Sequence, residues 1–199
     1  MAESRQLNPD EEEKLKRYFE NKEKRSEKSR QDRKTLGEKC KTLAEARLCE
    51  TLEGALPDYY WHLEYHPEGM DGRQRVDIVG EPNSRDQFVF IEIERGVGKT
   101  HPIDNMIKAW RYIDDNADSK PVLLIQLFSP YFYSNSVRKR RRNETVFIGK
   151  QAEKATSGKL RYEPVGQELG QKYWPQSKES NLDTLIDKIS SLIGYKRNK

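Results

Sequence analysis

Three acidic residues lie in two segments that otherwise have the composition of buried β-strands. Asp77 stands between a valine and an isoleucine, and Glu92 and Glu94 lie in the apolar segment Phe88–Glu94. Side chains alternate between the two faces of a strand, so Glu92 and Glu94 point to the same face. If the two strands form a hairpin, Asp77 comes close to Glu92. The spacing therefore predicts a cluster of carboxylates at one edge of a sheet.

A cluster of carboxylates needs a nearby positive charge, because carboxylates repel one another and burial raises the pKa of each. Mg²⁺ prefers oxygen ligands and commonly takes one or two carboxylates together with water and substrate phosphate. Such an ion polarises a phosphate group and orients an attacking water. The three residues therefore predict metal-dependent hydrolysis of a phosphodiester bond. The alternative is a solvated polar face in which Asp77 pairs with Arg75 or Arg95.

Hydrophobic periodicity predicts the elements that position these carboxylates. Apolar residues recur at helical spacing between Lys34 and Leu56, and Pro102 suits the first turn of a further helix. The predicted order is helix, strand, strand, strand, helix and strand, at residues 34–56, 59–65, 75–79, 88–94, from 102 onward, and 121–128. The helix from Pro102 has a polar face that carries Asn105, Lys108, Arg111 and Tyr112. This order predicts an α/β domain with a mixed central sheet flanked by helices.

The segments on either side of this core are predicted to be extensions. We expect a charged N-terminal extension at 1–33, the core at 34–150 and a C-terminal extension at 151–199. A weak strand is predicted at 145–148, followed by a loop-rich stretch to about residue 180. The chain then has an amphipathic helix with apolar residues Leu182, Leu185, Ile186, Ile189, Leu192 and Ile193.

The segment around Asp77, the strand Phe88–Glu94, the following helix and the apolar strand together resemble the restriction-endonuclease-like PD-(D/E)xK nuclease superfamily. The resemblance implies a three-layer α/β/α fold around the mixed sheet. It implies that Asp77 and Glu92 bind Mg²⁺, for which Mn²⁺ is a substitute, with the backbone carbonyl of Ile93 as a further ligand. It also implies a glutamate on the first core helix, for which we assign Glu45.

Position 94 departs from the superfamily pattern. Most members have a lysine there that helps to orient or activate the attacking water, whereas this chain has Glu94. Some restriction enzymes also carry glutamate, and others place the lysine on a neighbouring element, for which Lys108 is the candidate. We therefore expect an endonuclease of the restriction or defence type with Asp77, Glu92, Glu94, Lys108 and Glu45 as catalytic residues. The alternative is an inactive nuclease fold that binds nucleic acid or another protein.

The segment Gly96–Thr100 invites a nucleotide-binding interpretation, which its spacing excludes. The phosphate-binding loop needs a glycine five positions before Gly98, where this chain has Ile93. We expect Lys99 to contact substrate phosphate from a flexible loop or to lie in a plain surface turn.

A run of basic residues is the strongest nucleic-acid signal outside the acidic cluster. It consists of Arg138, Lys139, Arg140, Arg141 and Arg142, and it follows three aromatic residues. Basic side chains neutralise backbone phosphates and aromatic rings stack on bases, so DNA is the expected partner, with RNA left open. The alternative is a basic loop or a localisation signal. The net charge of +4 permits a polyanionic partner without requiring one.

The compartment and the assembly are also expectations. No apolar run approaches the roughly 20 residues that span a bilayer, so we expect a cytoplasmic protein without membrane contact. Cys40 and Cys49 lie on the same predicted helix and are expected to be buried thiols. Cleavage of both DNA strands is simplest for a homodimer, with the N-terminal extension or the C-terminal helix as its interface.

Overall fold

A computed structural model describes most of the predicted core and the C-terminal helix. The described residues are 45–65, 75–95, 102–116, 120–134, 136–166, 169 and 182–195. The N-terminal extension predicted at 1–33, the start of the first predicted helix, Cys40 and Lys99 lie outside these residues.

Five strands form one sheet, in the order β1-β2-β3-β4-β5. The strands are β1 (Tyr59–Tyr65), β2 (Val76–Pro82), β3 (Phe88–Glu94), β4 (Val122–Phe128) and β5 (Leu160–Val165). Neighbours among β1, β2 and β3 are antiparallel, whereas β4 runs parallel to β3 and β5 runs parallel to β4. The prediction of a mixed sheet is therefore confirmed.

Helices cover both faces of this sheet. They are α1 (residues 45–55), α2 (Pro102–Asp115), α3 (Tyr131–Ser134), α4 (Ser136–Ala155) and α5 (Asp183–Leu192). The first core lies on the face covered by α1 and α5 and includes Leu52, Ile91 and Ile186. The second core lies on the face covered by α2 and α4 and includes Phe90, Met106 and Ala152. None of the described helices combines the length and the apolar character needed to cross a membrane.

Strand β3 has the alternation that the sequence predicted. Ile91 and Ile93 belong to the first core, and Phe90 belongs to the second core. By the same alternation, Glu92 and Glu94 lie on the face of the second core. The predicted bounds of β1 and β3 are confirmed, and every residue of β4 is buried, as expected for a strand covered on both faces.

Two predictions for the chain after β4 were wrong. Residues 145–148, predicted as a strand, lie within α4, and the segment predicted as a loop contains β5. The buried side of α4 consists of Thr145, Gly149 and Ala152, which have helical spacing but little apolar surface, so the periodicity is faint. Strand β5 contains Pro164, which an edge strand tolerates because one of its sides makes no ladder hydrogen bonds.

The contact between α4 and β5 gives a stability prediction. A Cβ at Gly149 would lie 2.5 Å from two ring atoms of the fully buried Tyr162. We expect Gly149→Ala to lower the free energy of unfolding by about 1–3 kcal/mol, the usual cost of overpacking. Gly54, in the exposed part of α1, has no atom within 4 Å of such a Cβ, so Gly54→Ala should raise stability by about 1 kcal/mol. Urea unfolding measures the stability of both variants, and equal changes in the free energy of unfolding would contradict the prediction.

Candidate active site

Asp77 lies where the ladder between β2 and β3 stops. The described pairing of these strands ends at Ile78 and Ile91. Beyond this pair, Oδ2 of Asp77 accepts a hydrogen bond from the backbone N–H of Ile93 at 2.8 Å. The carboxylate therefore takes the place of a backbone acceptor, and this bond holds Asp77 beside the segment of β3 that carries Glu92.

The neighbouring strand β1 is irregular at the same level. Glu64, which falls opposite Asp77 between two paired residues, has a φ of +44°. A left-handed conformation at a residue other than glycine costs about 1–2 kcal/mol and marks a local break in regular structure. The sheet therefore departs from regular pairing on both sides of Asp77.

Glu92 is a buried carboxyl group, with 2% of its surface exposed. Nζ of Lys108 forms an ion pair with its Oε1 at 2.6 Å, although the direction of the contact is not that of a hydrogen bond. The same Nζ donates a hydrogen bond to the backbone carbonyl of Arg75 at 2.6 Å. Burial raises the pKa of Glu92 well above its ordinary value of 4.5, and the Asp77 carboxylate raises it further, while Lys108 lowers it. One lysine thus offsets only part of the cost of negative charge at this point.

Glu94 is held by two amide groups. Its Oε1 accepts hydrogen bonds from Nδ2 of Asn105 at 2.9 Å and from Nε2 of Gln126 at 2.8 Å. Burial raises the pKa of Glu94, and these two donors lower it. Gln126 also donates to the carbonyl of Pro102 at 2.7 Å and accepts from Oη of Tyr162 at 2.8 Å. The three bonds of Gln126 leave its amide one orientation and link Glu94 to Tyr162.

Helix α2 brings two residues of its predicted polar face to these carboxylates, while Arg111 of that face is exposed. Lys108 reaches Glu92, and Asn105 reaches Glu94. Tyr112, predicted on the same face, is buried in the second core. The reason is that its ring packs against the rings of Phe88 and Phe90 on β3, and an aromatic ring gains more from that burial than from contact with water.

Sequence reasoning missed Gln126 and Tyr162. Gln126 is the polar residue within the apolar strand Val122–Phe128, and a buried polar group in such a strand requires hydrogen-bond partners. That signal could have identified it. Tyr162 lies in the segment predicted as a loop, where no pattern distinguished it.

Glu45, predicted to support the metal site, is buried in α1 and forms an ion pair with Arg95. Arg95 follows β3 directly, so the pair ties α1 to the end of the strand that carries the carboxylates. Arg75 lies 3.5 Å from Glu64. The two arginines considered as partners for Asp77 therefore have these other carboxylates as partners.

The acidic residues fit a sparsely coordinated hard cation. No group of three His, Cys, Asp or Glu side chains that could hold a metal occurs in the described part of the chain. The predicted ligand set needs only two such side chains, the carboxylates of Asp77 and Glu92, together with the backbone carbonyl of Ile93. Mg²⁺ commonly binds through one or two carboxylates and leaves its other positions to water and phosphate. The residues present therefore fit Mg²⁺ better than a zinc site with four protein ligands.

The basic run lies on the first half of α4 rather than in a loop. Lys139, Arg140 and Arg141 are exposed. Arg142 is half-buried and lies over the rings of Phe128 and Tyr133. The run therefore combines a solvent-facing group of cations with one arginine that is packed against the end of the sheet.

Comparisons with known proteins do not identify a family. No protein-family model and no curated protein matches the chain. One similar solved structure is the crystal structure of AF1548, a protein of unknown function. It has a TM-score of 0.35 and 11% sequence identity, over 76% of this chain and 67% of that chain.

Proposed function

We propose that this protein is a Mg²⁺-dependent nuclease that hydrolyses phosphodiester bonds in DNA, with a fold of the restriction-endonuclease-like PD-(D/E)xK type. The observation that carries the proposal is the grouping of Asp77, Glu92 and Lys108, which come from β2, β3 and α2. Two carboxylates and a lysine are the residue types that this nuclease chemistry requires, and the ion pair of Glu92 with Lys108 brings the lysine to the carboxylates.

The order of elements supports the fold part of the proposal. A helix precedes three antiparallel strands, and a second helix then leads to a strand parallel to the third. The three-layer arrangement expected from the resemblance has helices on both faces of a mixed sheet, as this chain does.

In this proposal Asp77 and Glu92 hold the metal ion together with the carbonyl of Ile93. Mg²⁺ or Mn²⁺, when bound, supplies positive charge to the phosphate and lowers the pKa of a bound water. The bond from the N–H of Ile93 orients the Asp77 carboxylate. Lys108 supplies from α2 the ammonium group that position 94 lacks, and it neutralises charge beside Glu92.

Glu94 and Glu45 have supporting parts in the same proposal. Glu94 lies two residues after Glu92 on the same face of β3, and two amides hold its Oε1. Its carboxyl group therefore has a defined position from which to accept a proton or orient a water. Glu45 positions the end of β3 through Arg95. The basic run of α4 and Lys99 contact the nucleic-acid backbone, and cleavage of both strands takes two sites in a homodimer.

A second candidate is a nuclease fold that binds nucleic acid without cleaving it. The specific observation in its favour is that Glu92 and Glu94 have protein partners, a lysine and two amides, which stabilise them without a metal. In this case the basic run would account for the whole activity.

Cleavage assays separate the two candidates. Purified protein is incubated with plasmid, linear and single-stranded DNA and with RNA, in Mg²⁺, in Mn²⁺ or in EDTA. The proposal expects cleavage of DNA in Mg²⁺ and none in EDTA, since the carboxylates act through the ion. Intact substrates in both metals, together with salt-sensitive binding of DNA, would favour the binding protein instead.

A further inference from the structure

Arg142 packs over the end of the sheet next to the proposed active site. Its guanidinium carbon lies 4.8 Å from the centre of the Tyr133 ring and 5.6 Å from the centre of the Phe128 ring. Both distances are within the range of cation–π contacts. Stacking uses the flat faces of the guanidinium group and leaves its N–H edge for hydrogen bonds. The rings therefore restrict the guanidinium group, whose Nη1 also donates to Oδ1 of Asn143 at 3.4 Å.

Two buried polar atoms in this group have no hydrogen-bond partner in the part of the chain that the structure describes. They are Nε of Arg142 and Oη of Tyr133. The Tyr133 hydroxyl lies against Gly166, where a Cβ would overlap with it. A glycine thus leaves room for the hydroxyl, although that hydroxyl forms no hydrogen bond with the described residues. Buried donors without partners are unfavourable, so both groups are suited to an acceptor that comes from outside the chain.

This pair of donors is close to the carboxylates. Phe128 is paired in register with Glu94, so its side chain lies on the same face of the sheet. Burial raises the pKa of Tyr162, the Glu94 carboxylate raises it further, and Arg142 lowers it. Oη of Tyr162 also donates to the Gln126 amide that bonds Glu94, so this tyrosine lies beside the carboxylate.

We propose that Arg142 and Tyr133 form a subsite for a backbone phosphate of the bound nucleic acid, adjacent to the linkage that is cleaved. A phosphodiester group has several acceptor oxygens and a negative charge, so one group can satisfy both a tyrosine hydroxyl and an arginine edge. The identity of the ligand rests on the proposed function, because a nucleic-acid strand bound at the carboxylates would pass this subsite. The subsite separates Arg142, which the two rings orient, from the exposed cations of the same run, whose contacts with the backbone are not fixed by packing.

Binding measurements test this subsite without any cleavage. The probe is a fluorescein-labelled 16-base-pair DNA duplex, titrated in EDTA so that no metal takes part. We expect Arg142→Gln to weaken binding by roughly 10- to 100-fold and Tyr133→Phe by about 10-fold, as for lost hydrogen bonds to a charged group. Arg141→Gln, the matched loss of an exposed charge from the same helix, should weaken it by less than about 3-fold.

The dependence on salt provides an independent readout. Arg142→Gln should make the negative slope of log K against log salt shallower by about 0.9, because one phosphate contact is lost. Tyr133→Phe removes no charge and should leave the slope unchanged. Equal weakening by Arg141→Gln and Arg142→Gln, or no effect of Tyr133→Phe, would overturn the subsite. If Arg142→Gln does not fold, Tyr133→Phe decides, since it keeps the ring under the guanidinium group. If the wild-type protein does not cleave DNA in Mg²⁺ but the two variants still bind DNA more weakly, the nuclease proposal is wrong and the phosphate subsite is retained.

Discussion

Asp77→Asn should reduce the rate of DNA cleavage in Mg²⁺ by about 1,000-fold or more. A metal ion contributes several kcal/mol to transition-state stabilisation, and about 1.4 kcal/mol corresponds to a factor of ten in rate. Asparagine keeps an oxygen that can accept the hydrogen bond from Ile93 but carries no negative charge for the metal. The variant therefore separates loss of the charge from loss of the fold.

Single-turnover cleavage at saturating protein is the measurement, with urea unfolding as a check on the fold. Asp86→Asn is the matched control, because Asp86 is exposed in the turn between β2 and β3. This control should cleave at the wild-type rate. A rate for Asp77→Asn within about threefold of the wild type, which is below 1 kcal/mol, would remove Asp77 from the chemistry and with it the proposed metal site.

Lys108→Met should lower the free energy of unfolding by about 3–5 kcal/mol at pH 8 in EDTA, because the buried Glu92 loses its cation. Methionine matches the aliphatic stem of lysine without the ammonium group, so the effect reports the loss of the charge together with its hydrogen bond to the Arg75 carbonyl. Lys154→Met, an exposed lysine of α4, is the control and should change stability by less than about 0.5 kcal/mol. The double variant Glu92→Gln/Lys108→Met should recover most of the loss.

The pH dependence of this effect has a defined sign. The pKa of Glu92 is raised in the folded state above its ordinary value of 4.5, so the folded protein binds the proton more tightly than the unfolded chain. Stability from this group is therefore full below pH 4.5 and falls as the pH rises through the folded-state pKa. Removal of Lys108 raises that pKa further. The difference between Lys108→Met and wild type should be large at pH 8 and shrink towards pH 5, and a constant difference would contradict the pairing.

Local patterns were sufficient for the regular core. Alternation in β3 predicted the face of Glu92 and Glu94, and the apolar run of β4 predicted burial on both sides. The same approach failed at residues 145–148 and at β5. In α4 the buried stripe consists of small residues, and β5 contains a proline that its edge position alone accommodates. Where apolar and polar positions differ little in hydropathy, periodicity does not reveal whether a segment is a helix or a strand.

Sequence placed Lys108 near the carboxylates but did not identify the residues that hold Glu94. Lys108 was predicted as the displaced lysine from its helical position, and the structure brings it to Glu92. The same reasoning assigned Tyr112 to the polar face, although its ring is buried against Phe88 and Phe90 of β3. Gln126 and Tyr162 escaped notice, since their importance lies in the bonds they make to one another and to Glu94.

By itself, the sequence determined the strands β1 to β4 and the helices α1, α2 and α5, and it placed three acidic residues on two adjacent strands, because side-chain periodicity depends on neighbours along the chain. Only the tertiary structure decided that Lys108 pairs with Glu92, which two amides orient Glu94 and which arginine stacks at the end of the sheet. These contacts join residues that are far apart in the chain, and their formation depends on how α2 and α4 pack on one face of the sheet.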